Sequence, residues 1–218
     1  MKIIIYITMC LPFLSHAANL FDDYESYYLT LSNRLFNSAS HDLEPFSMEG
    51  SEGVFYGWSG FDSGRQRSVE LQDGQLTIDD EPFPTHVVKP FPREKIYNGD
   101  LGLGAKVYFT DSWVCVEGSP PSASGTAVRH QSVYLILMGN NPMAWKLPSL
   151  FASCIGVRMS GGSPAFDSIR FFYQKGKEQP LGVDFTEYKI KDGLFLEAGN
   201  KRRAIFLDGG NVYKFMVE

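Results

Sequence analysis

A chain of 218 residues with a formal net charge of −5 has room for one large domain or two small ones, and its acidic balance repels phosphate backbones, which argues against a nucleic-acid partner. Aromatic residues make up 14% of the sequence, and 21 glycines and 12 prolines accompany them, a combination that predicts many short strands joined by turns.

Residues 1–17 read as a cleavable secretory leader. A single positive charge, Lys2, precedes an uncharged and mostly apolar run from Ile3 to Leu14, and Ser15-His16-Ala17 supplies the small-x-small end before Ala18. The run is roughly a dozen residues, short of the about 20 that span a bilayer. Ile7-Thr8-Met9 lacks the small residues that lipid attachment at Cys10 requires. The expectation is a periplasmic or secreted protein whose mature form, residues 18–218, does not span a membrane. None of the eight asparagines lies in an Asn-x-Ser/Thr sequence, which favours a bacterial periplasm over eukaryotic secretion.

Leu20, Tyr24, Tyr27, Tyr28, Leu31 and Leu35 recur at spacings of three and four, predicting an amphipathic helix over about residues 19–37. A polar loop follows, and strands begin near Val54. Ser68–Gln72 and Gln75–Asp79 alternate on either side of Asp73-Gly74, a strong hairpin pattern. Four prolines over residues 80–93 exclude an interior strand there. Strands are expected at 106–110, 113–117 and 133–138, the last continuous and apolar enough to be covered on both faces. The Gly/Ser/Pro-rich stretch at 118–127 between them is the candidate subdomain boundary within an otherwise single β-rich domain. From residue 166 on, strands alternate with turns, at Gly199-Asn200 and Asp208–Asn211 among others, giving an antiparallel meander of about five strands. The fold class expected is mainly β (β-rich α+β), with meander or sandwich-like antiparallel sheets and one N-terminal amphipathic helix.

Two cysteines remain after the leader, Cys115 and Cys154, and an even count in an oxidising compartment predicts that they pair. The loop so closed contributes about 4 kcal/mol by chain-entropy reasoning.

No motif names a reaction, and no catalytic, cofactor or metal residue can be assigned. His41, His86 and His130 stand apart, with no ligand-type residue at metal spacing. Gly57-Trp58-Ser59-Gly60 resembles a nucleophile elbow but carries Phe61 where the second glycine belongs. Asp79-Asp80-Glu81 reads as a charged turn. Trp58 between glycines, and Trp145 with Lys146 after a turn-rich segment, are the candidate partner anchors, since tryptophan in an exposed loop is a frequent interface residue. The function expected is therefore a non-enzymatic protein of inhibitor or immunity type that occludes a partner protein, a toxin or envelope enzyme. The alternative is an exported hydrolase acting on glycan or peptide, which would need a pocket with two or more carboxyls of raised pKa.

Overall fold

The computed structural model describes residues 19–47, 55–72, 75–83, 87–96, 101–102, 104–120, 123–139 and 142–218. The expected leader, His86, the Asp73-Gly74 hairpin tip and Asn140-Asn141 lie outside the described residues.

In chain order, β1 (Asn19–Phe21) and α1 (Tyr24–Leu29) precede β2 (His41–Asp42), β3 (Glu44–Phe46), β4 (Phe55–Asp62), β5 (Arg65–Gln72), β6 (Gln75–Ile78), β7 (Glu81–Phe83), β8 (Val88–Pro90), β9 (Lys106–Phe109) and β10 (Trp113–Gly118). Then come β11 (Ser132–Leu137), β12 (Met143–Lys146), β13 (Arg158–Ser160), β14 (Ser163–Tyr173), β15 (Pro180–Lys191), β16 (Leu194–Asp208) and β17 (Asn211–Val217). They form three sheets: an outer sheet β3-β4-β5-β6-β7, a central sheet β2-β9-β10-β11-β12-β8, and a meander sheet β1-β17-β16-β15-β14-β13. The protein is mainly β and the pairing antiparallel, except where β8 runs parallel to β12. Of the prolines in 80–93, Pro82 lies in edge strand β7 and Pro90 in edge strand β8, where a missing N–H costs no ladder bond.

The central sheet is the middle layer. Strand β11 sends Tyr134 and Ile136 to a cluster shared with Val69, Leu71 and Ile78 of the outer sheet. Its Val133 and Leu135 enter a second cluster with Phe166 and Ile190 of the meander sheet. This accounts for the unbroken apolar run, because neither face of β11 meets water. The meander sheet's other face, through Ile169, Val183, Phe185 and Phe215, packs under Tyr24, Tyr27 and Tyr28 of α1. Each such fully buried side chain contributes about 1.5–3 kcal/mol by leaving water.

Helix α1 has six residues, far fewer than the expected span over 19–37. Its tyrosines do follow the predicted stripe, but both ends are set by local chemistry. The Asp23 carboxylate accepts from Ser26 N at 2.7 Å and starts the helix there. Before that cap, Asn19–Phe21 pairs with Phe215–Val217 as a strand. After the helix, Asn33 adopts φ 56° and the chain runs beside the free edge of β13, with Leu35 N donating to Val157 O and Met159 N to Asn33 O, both at 2.8 Å. Edge pairing with the sheet outweighs helical continuation here.

Two further expectations change. The chain does not turn back at Gly199-Asn200; β16 continues through it with a register shift against Thr186 and Tyr188 of β15, and Gly199 takes φ 80°. The 118–127 stretch joins β10 to β11, which are hydrogen-bonded neighbours, so it is a connection within one sheet and not a seam between two.

Cys115 of β10 and Cys154 of a 3-10 turn (Cys154–Gly156) form the expected disulfide, with Cα atoms 5.8 Å apart. Next to it Gly156 packs so tightly on the Tyr28 ring that an added Cβ would lie 2.9 Å from ring carbons. Only glycine lets α1 come this close to the turn.

Candidate binding cleft

A cleft of about 610 Å³ opens between the end of α1, the segment 34–40, the 3-10 turn Gly125–Arg129 and residues 151–155. Glu117, near the end of β10, lies at its base and is only 7% exposed. Strand alternation places it on the same face as Cys115 two residues earlier, and the disulfide brings the backbone of Cys154 beside it. Glu117 Oε1 accepts from the Tyr108 hydroxyl at 2.9 Å, while Oε2 accepts from Ser153 Oγ at 2.8 Å and Cys154 N at 2.6 Å. Burial pushes this carboxyl above the ordinary carboxylate range, and the hydrogen bonds from Cys154, Ser153 and Tyr108 with the nearby charge of Lys106 oppose that only in part. Burial likewise raises the Tyr108 and Tyr28 hydroxyls, and Tyr28 donates to Phe151 O at 2.8 Å.

The mouth of the cleft has a different character. Leu29 is 52% exposed, Val128 45% and Tyr213 38%. Arg34, Lys106 and Arg129 stand among them.

A second polar group lies inside the fold, by α1. Arg158 of β13 donates to Asp167 of β14 at 3.1 and 3.2 Å and to Glu187 of β15 at 2.8 Å. Arg202 of β16 donates to both oxygens of Asp167 at 2.7 and 2.8 Å, and Asn200 donates to Glu187 at 3.3 Å. Burial acts to raise Glu187, but its bonds to Arg158 and Asn200 with the charges of Arg158 and Lys189 together bring its carboxyl below the ordinary range. The group ties four meander strands together through side chains alone.

The anchors expected from sequence lie elsewhere. Trp145 and Lys146 belong to β12, between β11 and β8, and are only 2% and 3% exposed. Trp145 packs beside Trp113, and Lys146 Nζ donates to Lys95 O at 2.6 Å. The turn residues end at Pro142 and the strand starts at Met143, so these side chains are interior and neither is a loop anchor. Trp58, in β4, is half-buried; it stacks on His41 at 3.8 Å and packs against Phe109. His41 in turn meets Asp62 at 3.2 Å. His130 Nδ1 lies 3.0 Å from Ser149 Oγ, which also bonds Glu94 at 3.0 Å. In this arrangement the acid holds the serine, whereas a nucleophilic triad requires the acid on the far nitrogen of the histidine. Asp79 accepts from Arg67 Nε and Ser68 N, and both Asp79 and Asp80 take positive φ, as in the expected turn.

Sequence reasoning did not single out the cleft residues. Leu29, Arg34, Lys106 and Val128 are far apart in the chain and carry no mutual spacing. Glu117 alone had a legible sign, an acid in phase with a predicted disulfide cysteine in an apolar strand.

Comparison with protein-family models, with curated proteins and with solved structures found no match to this chain. Among the described residues no helix is long and apolar enough to cross a membrane, and no group of three or more His, Cys, Asp or Glu side chains is placed to hold a metal ion.

Proposed function

We propose that the protein is exported to a bacterial periplasm and acts there as an inhibitor or immunity-type protein, occluding a partner protein such as a toxin or an envelope enzyme, with no chemistry of its own. The observation that carries this reading is the mouth of the cleft. Leu29, Val128 and Tyr213 are left exposed in the lining of one cleft that Arg34 and Arg129 also line. Clustered apolar side chains with tyrosine and arginine are the composition of docking surfaces. The disulfide supports an oxidising compartment. Glu117 has both oxygens occupied by protein donors, while a general acid or base must reach substrate.

The test uses mature protein purified from the periplasm as bait in an envelope extract of the native host. A protein retained by the unaltered bait and released by a Leu29→Asp/Val128→Asp variant is the expected result. Hydrolysis of a glycan or peptide panel by the unaltered protein, abolished by Glu117→Gln, would establish the hydrolase instead.

A further inference from the structure

We infer that removal of the leader precedes the pairing of β1 with β17, so that the meander sheet closes only after cleavage and the folded precursor is shut to signal peptidase. The inference rests on the export proposed above, by a leader at residues 1–17, and adds the order of processing and folding.

Topology sets the order. Strands β13 to β17 join as consecutive antiparallel pairs, each bonded to the next in the chain. Among the described strands of this sheet only β1 joins from the N-terminal side, through Asn19 with Val217, Leu20 with Met216 and Phe21 with Phe215. Its partner β17 follows every other described strand. A chain exported N-terminus first therefore presents residues 19–21 well before the strand that receives them, and contacts of such wide sequence separation form slowly. Until β17 arrives, residues 19–21 have no strand of the meander sheet to pair with. That interval is when the neighbouring Ala17–Ala18 bond can be cut. Cleavage adds water across this peptide bond and yields the Ala17 carboxylate and the Ala18 ammonium, with the catalytic groups supplied by the peptidase.

Space enforces the same order. One residue, Ala18, separates the scissile bond from β1. In the folded protein Phe21 is buried, its ring 5.3 Å from that of Tyr27 and 5.5 Å from that of Phe215. Asp22 pairs with Lys214 at 3.0 Å, and Asp23 caps α1, so the strand runs into the helix without slack. A peptidase lays the residues around its bond extended in its own cleft, so residues 19–21 serve either the enzyme or β17. The apolar run ends at Leu14, and the residues from Ser15 to Asn19 reach at most about 17 Å. While that run lies in the bilayer, docking of β1 brings the folded body against the membrane surface, where the peptidase has to work.

The experiment follows the whole precursor, residues 1–218 with Cys10→Ser, in detergent micelles with purified bacterial signal peptidase, and reads by intact mass the product that begins at Ala18. One sample is diluted from denaturant directly into the peptidase; another is folded first, with the Cys115–Cys154 disulfide formed. The first should be cut promptly and the second more slowly by about tenfold or more, because the enzyme then acts only on the minor form with β1 undocked. Phe21→Asp should restore cleavage of the folded precursor, with the disulfide and the far-ultraviolet spectrum establishing that the rest of the fold stands. Asn19→Cys/Val217→Cys ties β1 to β17 across a strand pair whose Cα separation suits a disulfide, and should block cleavage independently of the Phe21 variant. Equal rates for the folded and the diluted precursor, a cross-linked precursor cut as fast as the diluted one, or a folded Phe21→Asp precursor cut no faster than the unaltered one would overturn the order while the leader stands. If the diluted precursor is not cut after Ala17, the leader reading falls and the order falls with it.

Discussion

Glu117 and Glu187 are both 7% exposed, and both lie on strands of large sheets, yet their carboxyls are shifted in opposite directions. Glu117 is held by two hydroxyls and one amide, all neutral donors. Glu187 is held by the guanidinium of Arg158 and the amide of Asn200. Neutral donors compensate the lost hydration only in part, so burial wins at Glu117; a cation adds attraction between charges, so ionisation wins at Glu187. The fold thus contains one buried acid that costs stability when ionised and one that contributes stability when ionised, and this contrast can be tested directly.

The largest expected effect comes from removing the cation. Arg158→Ala leaves Asp167 and Glu187 buried with Arg202 and Asn200 as their remaining partners, and should cost about 3–5 kcal/mol in urea unfolding; a cost below about 1 kcal/mol would mean the network is not built as described. Next is the covalent tie on the other side of the comparison. Cys115→Ser/Cys154→Ser should cost about 2–5 kcal/mol and loosen the Cys154 amide from Glu117. Intact mass of the native protein should be roughly 2 Da below that of the reduced protein, the two hydrogens lost on oxidation; a pair of free thiols in periplasmic material would refute the link.

Smaller effects separate the two glutamates themselves. Glu187→Gln removes an ionised partner of Arg158 and should cost about 1.5–3 kcal/mol near neutral pH. Glu117→Gln keeps an acceptor for Ser153 and Cys154 and relieves a buried charge, so its effect near neutral pH should lie within about 1 kcal/mol of zero, on the stabilising side.

The pH dependence is the finest discriminator. Glu117 is raised in the folded state, so its contribution is complete below the unfolded value of about 4.5 and is lost as pH rises through the folded value. Glu187 is lowered, so its contribution is complete above about 4.5 and is lost as pH falls through the folded value. Unfolding midpoints measured from about pH 3 to 8 should therefore decline less toward high pH in Glu117→Gln, and less toward low pH in Glu187→Gln, than in the unaltered protein. Parallel curves for the two variants would remove the contrast.

Residue patterning and cysteine count by themselves determined the β-rich class, the hairpin on either side of residues 73 and 74, the two-faced burial expected of 133–138 and the pairing of Cys115 with Cys154. These follow from spacing along a single strand or from compartment chemistry, and neither needs a partner element to be known. The extent of α1 was not legible, because the stripe continues through Leu31 and Leu35 while the chain is drawn off to the edge of β13, a strand more than a hundred residues away. The burial of Trp145 and Lys146 was likewise decided by neighbouring strands: loop and interior tryptophans look alike until β8 and β11 are seen on either side. The cleft belongs wholly to the tertiary structure. Leu29, Arg34, Lys106, Glu117 and Arg129 come from a helix end, an edge segment, two strands and a turn, and only the stacking of three sheets under one short helix makes them neighbours.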